Sequence, residues 1–221
     1  MCKKKAITTR LRIFPLKRPF RFSTDDVKVE TKTPLFKGFF KMVRYQFQHR
    51  LFEGGWTPIL SREVFERGHA VAVLLYDPRE EAFVMIEQFR IGAMATSDCP
   101  WLLEVVAGII EPGEDAREVC YRETVEETGL TLQHLTPALT YLSSPGGTTE
   151  RLHVFVGCVD ASQAGGVHGL DHEGEDILVH VIPEPEIRDW LDGGKIDNAA
   201  TLIAVQWFLL NKQKVLDDWG Q

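Results

Sequence analysis

The chain has 221 residues, enough for one domain with a smaller attachment and a sizeable hydrophobic core. Its apolar fraction of 44% and charged fraction of 26% exclude a wholly disordered or collagen-like chain. The first 24 residues carry eight Lys or Arg and no acid, which leaves 17 basic against 32 acidic residues in the remainder. A body this acidic would repel the phosphates of a nucleic acid, and we therefore expect no nucleic-acid partner. We expect instead a reaction that uses a cation from solution.

Neither the cysteines nor the N-terminus indicates a secreted or membrane protein. The four cysteines form no Cys-x-x-Cys pair, and none lies near a His at zinc-ligand spacing. The N-terminus lacks the apolar stretch of a secretory signal. No apolar run approaches the roughly 18 residues of a membrane-spanning helix. We therefore expect a cytoplasmic protein without a membrane partner.

The N-terminal third of the chain divides into an arm and a small sheet. Residues 1–25 are basic and contain prolines, which is typical of a solvated tail, an over-long gene start or a phosphate-attracting arm. Residues 26–67 include an alternating apolar pattern from Phe39 to Phe65, with a turn at Gly54-Gly55. This pattern predicts a small antiparallel β domain.

Residues 68–221 mix strand and helix patterns. Two buried strands, 70–76 and 82–86, are joined by a turn at Asp77-Pro78, and 101–107 is predicted as one further strand. Other strands are expected near 138–142, 151–159 and 177–182, and helices at 115–128, 184–192 and 198–213. In the last helix, Leu202, Ile203, Trp207 and Leu210 form the predicted apolar stripe. The order of elements predicts an α+β or α/β sandwich.

The helix predicted at 115–128 has acids on its inner face. At about 100° per residue, Glu123 and Glu127 fall on the stripe defined by Val119 and Cys120, and Glu126 lies beside them. A Glu-rich helix is usually a solvated face with ion pairs, but here the acids point towards the core. Unpaired buried carboxylates repel one another, and a divalent cation removes that penalty. Hard oxygen ligands favour Mg²⁺ or Mn²⁺, with substrate phosphates completing the coordination. This pattern indicates metal-dependent phosphate chemistry.

The same segment resembles the Nudix box, G-x5-E-x7-R-E-U-x-E-E-x-G-U with U aliphatic. The matching positions are Gly108, Glu114, Arg122, Glu123, Glu126, Glu127, Gly129 and Leu130, with Thr124 as the one departure. The resemblance implies an α/β/α Nudix fold with a mixed sheet, preceded by the small antiparallel β domain. It also implies hydrolysis of a nucleoside diphosphate linked to another group.

The resemblance assigns roles within the box. It implies that Glu123 and Glu127 are metal ligands, that Glu126 belongs to the same catalytic cluster, and that Arg122 orients the carboxylates. In a subgroup of the family the carbonyl of the residue before the first Gly, here Ala107, is also a ligand. Two or three Mg²⁺ ions are expected, with Mn²⁺ as the alternative.

Three other segments resemble the ADP-ribose group of the family. Pro145 lies about 15 residues past the box, where that group has a marker proline, and Ser144 and Glu150 match substrate-contacting positions. The alternative for Ser-Pro-Gly-Gly is an ordinary turn.

The second segment, residues 160–176, contains four Gly and five acids with no strand or helix pattern.

Loops beyond about 12–15 residues are usually functional or disordered. In residues 160–176 the resemblance implies that Glu173 is the general base and that Glu175 is a further metal ligand. A disordered hairpin tip is the alternative. His168 and His172 are interpreted as solvated loop residues rather than as ligands.

The N-terminal β domain supplies the third segment. Phe39 matches an aromatic that stacks on adenine and comes from the partner subunit of a domain-swapped homodimer. Arg62, Glu63 and Arg90 match substrate-contacting positions. For an Arg, paired donation to a diphosphate competes with a structural Arg–Glu pair.

The resemblance thus implies Mg²⁺-dependent hydrolysis of ADP-ribose to AMP and ribose 5-phosphate. The alternatives are a Nudix hydrolase of another sugar nucleotide, such as GDP-mannose or ADP-glucose, and a non-catalytic ADP-ribose-binding sensor. A sensor usually lacks box glutamates, whereas every one is present here.

Overall fold

The computed structural model describes residues 21–221, so most of the predicted basic arm lies outside the described residues. The first sheet is three-stranded and antiparallel, as predicted. Its strands are β1 (Val27–Lys37), β2 (Lys41–His49) and β3 (Leu60–Glu66), in the order β1-β2-β3.

The second sheet has eight strands and is mixed. Its main path runs β10-β11-β5-β4-β9-β8, with β6 paired to β5 and β7 paired to β4. β4 and β9 run parallel, and the other pairs described are antiparallel. The strands are β4 (His69–Asp77), β5 (Ala82–Phe89), β6 (Trp101–Glu104), β7 (Val106–Ile110), β8 (His134–Leu142), β9 (Arg151–Cys158), β10 (Val167–His168) and β11 (Ile177–Pro183).

One strand predicted at 101–107 is in fact two. β4 and β5 pair with each other only near their turn, over residues 75–77 and 82–84. Beyond that point β6 pairs with β5 and β7 pairs with β4, so the segment fills the gap between two diverging strands. The break falls at Val105, which is 1% exposed. The prediction was wrong because apolar alternation does not reveal that a strand changes partner.

Helices cover both faces of this sheet, which confirms the α/β/α sandwich. They are α1 (Ala116–Thr128), α2 (Glu184–Asp192) and α3 (Ala199–Trp219). On one face Val119 and Cys120 of α1 pack with Val71 and its neighbours. On the other face Phe208 of α3 packs its ring 4.6 Å from that of Tyr76.

The apolar stripe predicted for α3 coincides only in part with its buried face, since Leu202 and Trp207 are half-buried against the core. The buried positions of the helix are Thr201, Ala204, Val205, Phe208, Val215 and Trp219, whereas Leu210 is 86% exposed. The helix is apolar on more than one side, so periodicity alone did not identify the face that meets the sheet. Within residues 21–221, no helix is both long and apolar enough to cross a membrane.

The segment 160–176, expected to lack structure, is partly ordered. It contains 3-10 turns at Ala161–Gln163 and Asp171–Glu173, and β10 pairs with β11. Its pattern was missed because two-residue strands and single turns are too short for periodicity to detect. The His172 side chain is 76% exposed, whereas a ring nitrogen of the half-buried His168 lies 2.8 Å from the Gly165 carbonyl oxygen.

Internal contacts divide the chain into two units. The smaller comprises Arg44–Arg62 and the described residues up to Thr33, and the larger comprises Pro34–Val43 and Glu63–Gln221. The tip of the β1–β2 hairpin therefore belongs with the larger unit, where the Phe40 ring lies 5.2 Å from that of Phe65. The sequence had assigned this tip to a separate domain at 26–67.

Candidate functional site

Helix α1 begins and ends at residues that suit a helix terminus. The Asp115 side chain accepts a hydrogen bond from the Arg117 N–H, and Gly129 ends the helix in the left-handed region with φ 70°. Between these caps, burial of Val119 and Cys120 fixes which face turns inward. The caps and the apolar contacts therefore place the box glutamates on the inner face.

The inner carboxylates have close polar partners. Glu127 is only 2% exposed, and its Oε2 accepts a hydrogen bond of 3.1 Å from the Ala107 N–H. Arg122 Nη1 lies 2.8 Å from Glu123 Oε1 and 3.0 Å from Glu126 Oε2. Arg122 therefore contacts two of the three carboxylates.

Two small residues let α1 pack closely against β7. The Thr124 side chain is fully buried, and its hydroxyl donates to the Cys120 carbonyl oxygen at 2.7 Å. The departure from the motif at this position leaves no unpaired polar group. Gly108 lies directly under Glu123, and a Cβ at this position would overlap the Glu123 carboxylate.

A cavity of about 740 Å³ lies in front of these carboxylates. Seven of the residues predicted to form the site line it: Phe39, Arg90, Ala107, Glu123, Glu127, Glu173 and Glu175. A smaller cavity of about 360 Å³ shares Arg90, Glu173 and Glu175 with it. The chain thus brings together acids from the box and from the segment before β11.

The other predicted residues do not line either cavity. Glu126 pairs with Arg122, and Arg62, in the smaller unit, donates to the Ser61 carbonyl oxygen. Glu150 is 9% exposed, and its carboxylate lies 3.0 Å from Arg67. Glu63 and Ser144 also lie outside the lining.

Ser144 begins a turn that meets strand β3. Its carbonyl oxygen accepts hydrogen bonds from the Gly147 and Thr148 N–H groups. The Phe65 N–H donates to the Gly147 carbonyl oxygen at 2.8 Å, and the Thr149 N–H donates back to Phe65 at 3.1 Å. The Ser-Pro-Gly-Gly segment is therefore a turn that fixes the end of β3 beside the cavity residue Arg67.

Phe39 lies in the cavity of its own chain. The resemblance had implied that it reaches the site of a partner subunit. The Phe39 side chain is 86% exposed, with its ring 4.7 Å from that of Phe40. It lies here because the hairpin tip belongs to the larger unit.

The two predicted acids before β11 differ in environment. Glu173 is exposed, with His172 Nε2 3.7 Å from its carboxylate. Glu175 is half-buried and accepts a hydrogen bond of 3.0 Å from the Leu170 N–H. Glu173 is thus free to meet solvent, whereas Glu175 is held by its own loop.

Burial and mutual repulsion perturb the box carboxylates. Burial, opposed by the charge of Arg122 and assisted by repulsion from Glu126 and Glu175, raises the pKa of Glu123 to about 7. Burial also raises the pKa of Glu127 well above its usual range, with Glu123 and Glu175 adding to it. These carboxylates therefore lie close enough to repel one another in a poorly solvated environment.

The raised pKa of Glu123 makes stability depend on pH. In the unfolded chain Glu123 loses its proton near pH 4.5, whereas in the folded chain it keeps the proton up to about pH 7. The folded state therefore binds more protons in this window, and we expect the free energy of unfolding of the metal-free protein to fall by up to about 3 kcal/mol as pH rises through it. Urea denaturation from pH 5 to 8 measures this.

The matched variant for this measurement is Glu123→Gln, which cannot titrate. It should show a shallower decline in the free energy of unfolding than the unaltered chain over the same pH range. Equal slopes in the two proteins would show that Glu123 has an ordinary pKa.

The donor set fits a hard divalent cation. Among residues 21–221, no three acidic, His or Cys side chains are arranged to share one ion as they lie. Each carboxylate instead faces another partner: Arg122 for Glu123, and backbone N–H groups for Glu127 and Glu175. A cluster of oxygen donors that repel one another is nevertheless the kind of site that binding of Mg²⁺ or Mn²⁺ stabilises.

The sequence reasoning missed Arg67 and Glu104, among other residues at or beside the cavity. Arg67 lines the larger cavity, with its guanidinium 5.1 Å from the Phe40 ring centroid. Glu104 accepts two hydrogen bonds from the cavity residue Arg90. Neither belongs to a motif, and both pairings join distant parts of the chain.

Comparisons with known proteins relate this chain to a family and to relatives of known activity. A family model described as the NUDIX domain matches residues 66–210. An ADP-ribose pyrophosphatase of Escherichia coli (strain K12) is 48% identical over 202 residues, which cover 91% of this chain and 97% of the relative. An ADP-ribose pyrophosphatase of Haemophilus influenzae is 43% identical over 201 residues, covering 90% and 93%. A crystal structure of an ADP compounds hydrolase shares the fold, with a TM-score of 0.66, 17% identity and coverage of 90% and 98%.

Proposed function

The chain belongs to the Nudix hydrolase family, and on this premise we propose that it hydrolyses the diphosphate of ADP-ribose to AMP and ribose 5-phosphate. The observation that carries the proposal is the similarity to ADP-ribose pyrophosphatases over nine-tenths of the chain. The cavity supports it, because carboxylates and Arg90 line a space large enough for a nucleotide.

Four oxygen donors would hold the divalent metal. They are the carbonyl of Ala107 and the carboxylates of Glu123, Glu127 and Glu175. When bound, Mg²⁺, or Mn²⁺ in its place, would neutralise diphosphate charge and lower the pKa of the attacking water. Glu123 and Glu175 each use one carboxylate oxygen in their present contacts, Oε1 towards Arg122 and Oε2 towards the Leu170 N–H, which leaves the other oxygen of each for a metal.

The remaining residues act on water and substrate. Glu173, exposed at the cavity wall, takes the proton of the attacking water as general base. Arg90 donates to a phosphate, and Phe39 supplies an aromatic face for adenine. Arg122 and Glu126 keep the neighbouring carboxylates in place.

We also propose Arg62, Glu63, Ser144 and Glu150 as substrate-binding residues, although none of them lines either cavity. Glu150 acts at the cavity through its ion pair with Arg67. The turn that begins at Ser144 fixes β3, which ends beside Arg67.

The test is product analysis by phosphorus NMR with ADP-ribose, GDP-mannose and ADP-glucose, with Mg²⁺ in water enriched in oxygen-18. We expect rapid conversion of ADP-ribose to AMP and ribose 5-phosphate, with the label on one product showing which phosphorus is attacked. Cleavage of another sugar nucleotide without ADP-ribose turnover would overturn the substrate. Tight ADP-ribose binding without turnover of any of them would indicate a sensor.

We also propose that two copies form a homodimer through β1. All eleven residues of β1 are exposed, and they include Val29 at 56% and Phe36 at 65%. Residues 21–67 carry nine basic and six acidic residues, whereas residues 68–221 carry nine basic and 26 acidic residues. An exposed strand with apolar side chains can pair with a second copy, and the basic segment that contains it is complementary in charge to the acidic body of that copy.

Mixing two inactive variants tests whether subunits share a site. In a domain-swapped dimer, Phe39→Ala mixed with Glu127→Gln should recover activity, because the second chain supplies Phe39 to the first chain's intact acids. If each Phe39 serves its own chain, the mixture stays at the average of its parents. A single-copy mass by light scattering at micromolar concentration would overturn the dimer itself.

A further inference from the structure

We propose that Glu104 is a positioning residue that fixes the guanidinium of Arg90 at the wall between the two cavities. The inference rests on the proposed function, because Arg90 is taken to contact the substrate diphosphate. Glu104 itself lines neither cavity. Its role would be exerted through Arg90.

The contact between the two side chains defines an orientation. Arg90 Nε lies 2.9 Å and Nη2 lies 2.7 Å from the same oxygen, Glu104 Oε2. Two hydrogen bonds from one edge of a planar group fix the plane of that group. The Arg90 backbone is also fixed, since its N–H donates to the Pro100 carbonyl oxygen at 2.8 Å.

The pairing leaves Arg90 able to act on a ligand. Glu104 uses the Nε and Nη2 edge, so Nη1 and the second Nη2 hydrogen remain as donors. The Arg90 side chain is 43% exposed while that of Glu104 is 13% exposed. The more buried Glu104 therefore binds one edge of the guanidinium, and Arg90 presents its remaining donors at the cavity wall.

Helix α3 fixes the backbone on both sides of Glu104. The Asn198 side-chain amide donates to the Leu103 carbonyl oxygen at 2.7 Å, and the Val105 N–H donates to the Thr201 hydroxyl at 3.1 Å. The Asn198 side chain is also the N-cap of α3. The end of β6 is therefore anchored to the helix start, and so is the Glu104 carboxylate that it carries.

The competing account is a purely structural ion pair, and the chain contains a comparable example. Glu184 accepts from Arg188 Nε at 3.2 Å and Nη2 at 2.6 Å through one oxygen, and its side chain is 10% exposed. That pair joins residues four apart on α2 and touches neither cavity. The contact has the same geometry as Glu104–Arg90 but lines neither cavity, and Glu184 also accepts from Lys212 and Tyr76 through its other oxygen.

The experiment is a double-mutant cycle on ADP-ribose binding, measured by calorimetry without metal so that no turnover occurs. Glu104→Gln keeps the shape of the side chain but weakens the contact, and we expect about a tenfold rise in Kd, of the order that one misplaced charged contact produces. Arg90→Ala should raise Kd at least as much. The double variant should bind no more weakly than Arg90→Ala, because Glu104 acts only through Arg90.

Glu184→Gln is the control. It should lower the melting temperature at least as much as Glu104→Gln does, while leaving the Kd for ADP-ribose unchanged. With metal present, the variants that raise Kd should lower kcat/KM, and the size of the two effects should rank the variants in the same order.

Two results overturn the inference. Unchanged ADP-ribose binding by Glu104→Gln, with the parent chain binding normally, would refute the positioning role alone. Equal losses from Glu104→Gln in the parent and in the Arg90→Ala background would identify a general structural effect. Failure of the parent chain itself to bind or hydrolyse ADP-ribose would instead refute the proposed function, and the inference with it.

Discussion

Glu127→Gln should lower kcat for ADP-ribose by roughly 10²- to 10⁴-fold, because it removes a charged oxygen donor from the proposed metal site. The fold should remain intact, since the Gln side-chain oxygen can still accept the hydrogen bond from the Ala107 N–H. Steady-state kinetics with Mg²⁺ measures the loss.

The same variant should increase the stability of the metal-free protein. Glu127 is almost fully buried, and burial raises its pKa, so the charged form opposes folding at neutral pH. We therefore expect a higher melting temperature for Glu127→Gln at pH 8 in the presence of a chelator. Glu118→Gln, on the exposed face of the same helix, should change neither activity nor stability. A fully active Glu127→Gln enzyme would eliminate Glu127 as a ligand.

Gly108→Ala should lower kcat/KM by about 100-fold or more, the order of loss that a displacement of about 1 Å at a reacting centre produces. A Cβ at residue 108 would overlap the Glu123 carboxylate, which must then leave its place beside Arg122. The backbone of β7 need not move, because the atoms displaced belong to a side chain. We therefore expect a folded protein with weakened metal binding, measurable as a rise in the Mg²⁺ concentration that gives half-maximal rate.

The control for this substitution is Gly92→Ala. A Cβ at Gly92 would meet no atom within 4 Å, and its φ lies outside the left-handed region. This variant should retain both rate and Mg²⁺ requirement. If Gly108→Ala were equally unaffected, the close approach of β7 and α1 would have no part in placing Glu123.

The box could be interpreted from the sequence because its information is local. Helical periodicity places Glu123 and Glu127 on the same side as Val119, and the caps at Asp115 and Gly129 bound the helix. Burial of Glu127 follows from that spacing alone. The Nudix family and the sandwich fold were accordingly predicted correctly.

Contacts between distant segments could not be predicted in this way. The sequence left open whether Arg90 contacts a diphosphate or forms a structural pair. In the structure it lines a cavity and also pairs with Glu104. Periodicity also failed where a strand changes partner at Val105, and on α3, where Leu210 is exposed.

The sequence by itself thus determined the helix, its acidic inner face and the chemistry that this face can perform, since these depend on residues within four positions of one another. Only the tertiary structure decided which arginines accompany the acids, where Phe39 lies and how Glu150 meets Arg67. These contacts depend on how diverging strands and loops pack, and residues up to about 80 positions apart meet only when the core has formed.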